Sequence, residues 1–445
     1  MSKRTGDAGV EPLIAAVRSG DAKLTAALLD AGADPDSVDE HGTPALCLAV
    51  DAFDLPVVDV LLAWARLDDA APDGRTPLLR AIGRGACEIT DRLVGHGAKL
   101  WLADAEGRDA LATARYWHEA DVETELRRGS GSGRVERGSV RRSESGTVCE
   151  ELSSGGLTIR NGHTAILTAL EPRYGIRPPF DELLSRALAE PDVDHEVWWA
   201  TTYALEQRHD TGVWDAAAAL CDRSDPLERY FGAEVLRLMN LFDERADAPY
   251  DRPLVDLFLR RVACEPDPRV TRVLTAGLVD AMDPRAGQAL PSLTRHLDAK
   301  VREQAVGGLR SEIETASPEA LVAATERIGD ANAAVRRAAC CALASAPPDT
   351  ADVSDLLAGC LVDPDRDVRV EAAARLALRD DPRGDEILRG LDPTDEDSPY
   401  HWLLDDVYRH RARAAEHPQH TPAIAPSKSR SADARPRHVE CSSAT

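Results

Sequence analysis

The sequence lacks any apolar run long enough to cross a membrane, and its first residues do not form a secretory signal. No uninterrupted apolar stretch reaches the roughly 18 residues that a membrane-spanning helix needs. The basic residues Lys3 and Arg4 are not followed by the apolar segment that a signal peptide requires. These absences argue against a membrane protein and a secreted one, and we expect the chain to reside in the cytoplasm.

Recognisable catalytic and metal-binding motifs are also absent. The nine cysteines are an odd number without a C-x-x-C pair, so we interpret them as reduced thiols that mostly pack in the core. There is no G-x-x-x-x-G-K-[ST] phosphate loop and no G-x-S-x-G nucleophile elbow. His195-Glu196 and His118-Glu119 begin like zinc-protease helices, but each lacks the second histidine. We therefore expect no enzyme activity, no cofactor and no bound metal.

Negative charge dominates the chain. It has 77 acidic and 53 basic residues, a net charge of −24. Residues 1–128 contain 23 acidic and 14 basic side chains, and residues 157–412 contain 47 and 30. Two acidic halves disfavour contact with phosphate backbones, so we expect no nucleic-acid partner. The charge instead predicts protein partners with basic surfaces, bound less tightly as the salt concentration rises.

A repeated phrase occupies the first part of the chain. Gly42, Gly74 and Gly107 stand 32 and 33 residues apart, and leucines recur at the same period, each with an alanine three residues later. A leucine and an alanine at that spacing share one helix face, and the small alanine lets the next helix approach. Fixed periods of this size predict stacked helical units that bury a core only against their neighbours.

The details of this phrase resemble ankyrin repeats. Residues 74–81 and 28–34 follow the family patterns G-x-T-P-L-h-x-A and L-L-x-x-G-A-D. Thr76 suits a helix cap, and Pro77 suits the first helical position. The resemblance implies an ankyrin repeat domain of about four units over residues 8–128. It also implies partner contacts at the hairpin tips, where we select Asp39, Glu40, His41, Asp73, Arg75, Glu106 and Arg108.

Residues 129–156 are rich in glycine, serine and arginine and show no apolar periodicity. This composition predicts a flexible linker between two domains. The arginine-rich half of the segment leaves a second interpretation open, in which it docks as a strand on an acidic surface, including one of the chain's own.

A second period follows the linker. Val301-Arg302, Val335-Arg336 and Val368-Arg369 stand 34 and 33 residues apart, and each valine has a leucine eight residues later. The unit is a helix, an acidic turn and a second helix, and it resembles HEAT repeats, especially the D-P-x-x-x-V-R variety of bilin lyases. The resemblance implies a HEAT-like domain of about six units with a capping helix over residues 157–412. The proline- and serine-rich residues 413–445 are predicted to be a disordered tail.

In HEAT repeats of this type, aspartate and arginine side chains form a ladder that joins neighbouring units. The resemblance implies a break in the first and third units here, because Trp198 and Thr271 occupy the arginine position. A row of arginines could instead bind a nucleic-acid backbone, but the neighbouring acidic residues oppose that interpretation. The implied ladder residues are Asp298, Arg302, Asp330, Arg336, Asp363 and Arg369.

Trp198 and Trp199, with Tyr203 and Trp214, form the richest aromatic cluster in a chain with only 4% aromatic residues. The cluster either fills the core or provides an exposed anchor, because tryptophan and tyrosine dominate binding hot spots. Adjacent residues on a helix face different directions, so at least one tryptophan should point away from the helix seam. Both tryptophans are therefore candidate partner-binding residues.

Together these patterns predict an all-α chain of two tandem α-solenoids joined by a flexible linker. The function that fits best is a non-catalytic scaffold or adaptor that binds proteins on its solenoid surfaces. Two alternatives remain. One is an inhibitor or immunity-type protein that sequesters a single enzyme, and the other, less favoured, is a HEAT-like lyase or DNA glycosylase.

Overall fold

Helices stack side by side along most of the chain. The computed structural model describes residues 11–131, 133–141, 146–245, 248–350, 352–392 and 398–416. Over these ranges the helices are interrupted by one small sheet, and the predicted all-α solenoid class is confirmed. Of the predicted tail, residues 413–416 end the last helix, and the remainder lies outside the described ranges.

Four helix pairs form the first half. Two side-chain caps show why helices begin where they do: Asp54 accepts the Val57 N–H, and Thr76 accepts the Leu79 N–H. The pairs are α1 and α2 (Pro12–Ser19, Ala22–Asp30), α3 and α4 (Ala45–Asp51, Leu55–Leu62), α5 and α6 (Pro77–Gly83, Cys87–Gly95), and α7 and α8 (Ala110–Glu119, Val122–Ser130).

The repeated glycines close the turn that precedes each of the last three pairs. Gly42, Gly74 and Gly107 have φ angles of 77°, 79° and 77°, in the left-handed region that favours glycine. In each turn the glycine N–H donates to the carbonyl three residues earlier. The tip at Gly42 lies against Pro72, and the tip at Gly74 lies against Ala105, so successive tips stack in a row.

The prediction of a flexible linker over residues 129–156 is wrong for most of that segment. Three antiparallel strands form a sheet in the order β1 (Glu136–Arg141), β2 (Val148–Ser154) and β3 (Leu157–Arg160). β1 pairs with β2 from Glu136 opposite Ser153 to Arg141 opposite Val148, and β2 pairs with β3 from Glu151 opposite Arg160 to Ser154 opposite Leu157.

Two features of the sequence explain this sheet. Gly155 and Gly156 both have positive φ, as the tight two-residue turn of a hairpin requires, so these glycines mark a turn. Leu152 and Ile159 are buried with Leu126 of α8 and pack against Trp117 of α7. The apolar residues are too few to show a clear alternation, but together they bury a small core of their own.

Helix α9 (His163–Leu170) joins the two halves. It packs on α5, α6 and α7 on one side and on α11 (Glu196–Glu206) on the other. Ala165, Ile166 and Leu167 belong to the same buried cluster as the leucines of the first half. β3 is also fixed to that half, because the Arg160 N–H donates to the Arg84 carbonyl at 2.8 Å. The halves therefore form one continuous stack of helices.

Six further helix pairs follow, each packed on the next. They are α10 (Phe180–Leu188) with α11, α12 with α13 (Thr211–Leu220, Pro226–Leu241), α14 with α15 (Asp251–Val262, Pro268–Asp280), α16 with α17 (Leu290–Leu293, Ala299–Gly308), α19 with α20 (Pro318–Arg327, Ala333–Leu343), and α21 with α22 (Val353–Gly359, Arg366–Ala377).

The remaining short helices are α18 (Arg310–Glu314) and α23 (Asp385–Arg389), and α24 (His401–Glu416) packs on α22 at the far end. The 3₁₀ turns lie at Glu171–Tyr174, Pro284–Ala289, Cys360–Val362 and Pro382–Gly384. The valines and leucines of the second period, such as Val335 and Leu343, are fully buried. None of the helices in the described ranges combines the length and the apolar character that a membrane crossing requires.

Several arginines of the second half connect two consecutive units. Nε and Nη2 of Arg302 donate to the two carboxylate oxygens of Asp330 in the next unit, both at 2.8 Å. Arg336 binds Asp363 in the same way at 2.8 and 2.7 Å. The third nitrogen of Arg336 donates to the carbonyls of Asp330 and Ala331 in its own turn. Each arginine thus ties one interhelical turn to the following one.

The ladder extends further than the sequence predicted. Arg229 binds Glu265 at 2.9 and 2.7 Å, and Arg272 binds Asp298. The predicted break at Thr271 is wrong, because Arg272 at the next position reaches the carboxylate of the following unit. At the other end, Arg369 donates to the carbonyls of its own turn, at Asp363 and Pro364.

Loss of one rung should weaken the stack measurably. We expect Asp363→Asn to lower the free energy of unfolding at pH 7 by about 1 to 3 kcal/mol, because it removes a charge from a bidentate pair that is mostly buried. Urea unfolding followed by circular dichroism measures the change. Asp355→Asn is the control, since Asp355 pairs with Arg383 at an exposed position, and we expect no measurable change there.

The difference in free energy of unfolding between the wild type and Asp363→Asn should disappear in acid. The Arg336 guanidinium holds the pKa of the Asp363 carboxyl below its usual value of about 3.9. The stabilisation is therefore complete above about pH 4 and is lost as the pH falls through the lowered pKa. A difference between wild type and Asp363→Asn that persisted in full below that pKa would contradict the assignment.

A buried histidine begins the helix that joins the halves. The His163 ring stacks on Trp117, with 5.1 Å between ring centroids and an interplanar angle of 10°. Burial lowers its pKa to about 4. The folded chain thus keeps His163 neutral where the unfolded chain, with a histidine pKa of about 6.5, binds a proton.

We expect the stability of the wild type to fall between pH 6.5 and pH 4 by about 3 kcal/mol more than that of His163→Phe. Phenylalanine keeps the ring against Trp117 but cannot be protonated. The midpoints of urea unfolding across this pH range measure how steeply the stability depends on pH. His41→Phe, which makes the same replacement at an exposed histidine, should keep the wild-type slope. If the stability of the wild type and of His163→Phe depended on pH in the same way, His163 would not be the group responsible.

Candidate functional site

A cleft lies where the two halves meet. It has a volume of about 880 Å³ and is bordered by α6, by α9 with the 3₁₀ turn that follows it, and by α11. Most of its surface is apolar. The apolar lining residues are Val94, Ala165, Ala169, Leu170, Pro172, Ile176, Pro178, Ala200 and Ala204.

Two stacked aromatic rings form part of the cleft wall. Trp199 and Tyr203 lie one turn apart on α11, with ring centroids 5.3 Å apart and an interplanar angle of 12°. Phe242 meets the Tyr203 ring edge-on at 6.2 Å. The Trp199 residue remains 46% exposed although it is held by this stack. The rings therefore offer a fixed apolar platform to the solvent.

Three arginines also line the cleft. Nη2 of Arg208 donates to the Pro178 carbonyl at 2.6 Å, which fixes the guanidinium at the end of α11. Burial, and the positive charge of Arg177 beside it, lower the pKa of Arg208. Arg173 and Arg177 are exposed, and their guanidinium groups form no hydrogen bond or ion pair with the described part of the chain.

The cleft lining contains fewer carboxylates than arginines. Glu171, which precedes Arg173 in the 3₁₀ turn, binds the buried Arg186 through both oxygens at 2.7 and 3.0 Å. The opposing wall contributes Asp91 and the buried Glu196, and each of them has an interaction partner. The cleft thus contains more positive than negative charge within a chain whose net charge is −24.

The described residues contain no group of histidine, cysteine and carboxylate side chains arranged to hold a metal ion. Burial raises the pKa of the Cys47 and Cys221 thiols to about 12, so both are protonated at neutral pH. Cys340 and Cys341 lie on α20, one buried and one half-buried. The cleft offers an apolar platform and three cations, of which Arg208 is held in place by the Pro178 carbonyl.

The predicted tip residues separate into structural and exposed ones. The prediction that Asp39 contacts a partner is wrong, because its side chain is only 3% exposed. It accepts the N–H groups of His41 and Thr43 and the Arg18 guanidinium, so it builds the turn itself. Glu40 also binds Arg18 but stays exposed, and the His41 side chain is 77% exposed.

The other tips repeat this division. Asp73 pairs with Arg80 at 2.9 Å, and its carboxylate accepts the Arg75 N–H. Glu106 is exposed, whereas Arg108 is mostly covered, because it binds Asp104 and lies over the Tyr116 ring. Asp104 is the counterpart of Asp39 and builds the turn in the same way. It was not among the predicted residues, although it stands three residues before the repeated glycine.

The prediction that Trp198 binds a partner is wrong. It is 2% exposed and meets the rings of Tyr230 and Phe231 edge-on at 5.3 and 6.0 Å. Its Nε1–H donates to the Glu190 carbonyl at 3.0 Å. Trp199 points the other way into the cleft, as expected for adjacent residues on a helix.

The cleft arginines were not among the predicted residues. Arg173, Arg177 and Arg208 are separated by up to 35 residues, and no repeat relates them. The only local signal is the proline-rich turn at 171–179, which breaks the helical pattern and carries two arginines. Their proximity to Trp199 arises from the docking of α9 on α11.

Comparison with known proteins identifies part of the second half. The family described as HEAT repeats matches residues 288–379. A HEAT-like repeat region is therefore present in the chain. The solved structure of YibA from Escherichia coli is similar with a TM-score of 0.41 and 16% sequence identity, over 54% of this chain and 84% of that one. No curated protein matches the chain.

The two tryptophans should respond differently to truncation. We expect Trp198→Ala to lower the free energy of unfolding by about 3 to 5 kcal/mol, because it empties a buried ring site. Trp199→Ala should cost less than about 1 kcal/mol, since that ring is half exposed. Urea unfolding measures both values. Equal losses would contradict the assignment of Trp198 to the core and Trp199 to the cleft.

Proposed function

We propose that the chain is a non-catalytic scaffold that binds protein partners on the surfaces of its helix pairs in the cytoplasm. The observation that carries this proposal is the continuous stack of pairs, in which most apolar side chains and many arginines hold neighbouring units together. The hairpin tips and outer helix faces stay exposed along the stack. Extended surfaces of this kind suit protein recognition.

The first half contributes ankyrin-type units in this proposal. Its support is the recurrent turn, in which Asp39 or Asp104 accepts backbone N–H groups and a left-handed glycine follows three residues later. The tips stack in a row and expose Glu40, His41 and Glu106. A partner can therefore contact several tips at once, with a basic surface opposite the glutamates.

A binding experiment with charge-reversed tips tests the scaffold proposal. The immobilised chain is used to capture proteins from its native host at low and high salt, with identification by mass spectrometry. We expect specific partners whose capture falls with salt and falls further for Glu40→Lys/Glu106→Lys. The matched control Glu319→Lys/Glu386→Lys makes the same charge change at exposed positions away from the tips and should retain the partners.

The outcome also separates the alternatives. One stoichiometric partner whose enzymatic activity is blocked would support an inhibitor rather than an adaptor with several partners. Capture that does not depend on the tips or on salt would contradict the proposed surface. Turnover of a small molecule by the purified chain would contradict the non-catalytic assignment.

A further inference from the structure

The junction cleft has a charge opposite to that of the chain around it. Its walls contain Arg173, Arg177 and Arg208 against two carboxylates, Asp91 and Glu196, whereas both solenoid halves are strongly acidic. Arg173 and Arg177 have no partner within the described ranges, although acidic side chains are abundant in this sequence. Unpaired guanidinium groups grouped beside an apolar wall are typical of a surface that recognises carboxylates.

The cleft also has the composition of a protein-binding hot spot. Tryptophan, tyrosine and arginine are the residues that contribute most to protein interfaces, and all three occur here as Trp199, Tyr203 and the arginines. The Tyr203 ring holds the Trp199 ring in place, so little conformational freedom is lost when a partner covers it. Arg208 is likewise fixed by the Pro178 carbonyl.

From these features we infer that the junction cleft binds an acidic peptide segment of a partner protein. An aromatic or aliphatic side chain of the segment would pack on Trp199, and its flanking carboxylates would bind Arg173, Arg177 and Arg208. The inference deepens the proposed scaffold function and rests on it. It assigns a second binding mode, since the hairpin tips suit a basic surface and the cleft suits an acidic one.

Charge argues against the chain's own terminal segment as the occupant. Residues 413–445 contain five basic and three acidic side chains, so their net charge has the same sign as the arginines of the cleft. A peptide from another protein, with several carboxylates around one apolar residue, complements both the charge and the ring surface.

The test uses the full chain and a random peptide library displayed on phage. We expect the selected peptides to share aspartate or glutamate on both sides of an aromatic or aliphatic residue. One selected peptide, made synthetically with a fluorescent label, then reports the affinity by anisotropy. Its dissociation constant should rise about tenfold for Arg177→Gln and about 30-fold for Trp199→Ala.

Matched controls place the effect in the cleft. Arg389→Gln and Trp402→Ala make the same changes at exposed positions of the far end and should leave the affinity unchanged. Circular dichroism should show that all four variants keep the wild-type helicity. Changing the acidic residues of the selected peptide to amides should abolish its binding.

Several outcomes would overturn the inference. They are selection of basic or uncharged peptides, the absence of any selected peptide, and binding that the cleft variants do not alter. If sedimentation showed a dimer that Arg177→Gln converts to monomers, a second copy rather than a peptide would occupy the cleft. The scaffold proposal is tested separately, because partners held at the hairpin tips would still be captured by the cleft variants.

Discussion

Each helix pair in this protein is too small to bury its apolar face alone and depends on the pair beside it. Leucines and alanines of the first half and valines and leucines of the second half meet across the seams between units. In the second half this apolar contact is supplemented by arginines that bind the carboxylate of the next unit, as Arg302 binds Asp330. Stability is therefore distributed along the stack, and every unit contributes to its neighbours.

The junction follows from the same constraint. The first half ends with an apolar face on α7 that needs a cover, and α9 provides it while presenting its other side to α11. The sheet closes over the outside of α7 and α8 through Leu126, Leu152 and Ile159. The cleft is the space that remains between α6, α9 and α11. Its walls then bring together residues that no repeat relates.

Much of the fold was predictable because it is periodic. Leucine and alanine three residues apart, and valine followed by arginine, recur at 32 to 34 residues and mark the helices and most of the ladder. The sheet was not recognised, because Gly155 and Gly156 belong to a glycine- and serine-rich segment with few apolar residues. The arginine at 272 was missed because it stands one position from its expected place. The cleft depends on the packing of α9 against α11. This contact occurs once in the chain, so the repeat period could not predict it.

The two halves form one cooperative stack that is joined through α9. Hydrogen exchange measured by mass spectrometry on Ile166→Asp tests it directly, because this change places a charge in the buried face of α9. We expect faster exchange on both sides of the junction, in α7 at Ala110–Glu119 and in α11 at Glu196–Glu206. Faster exchange confined to one side, with the other half unchanged, would show instead that the halves are two independent bodies.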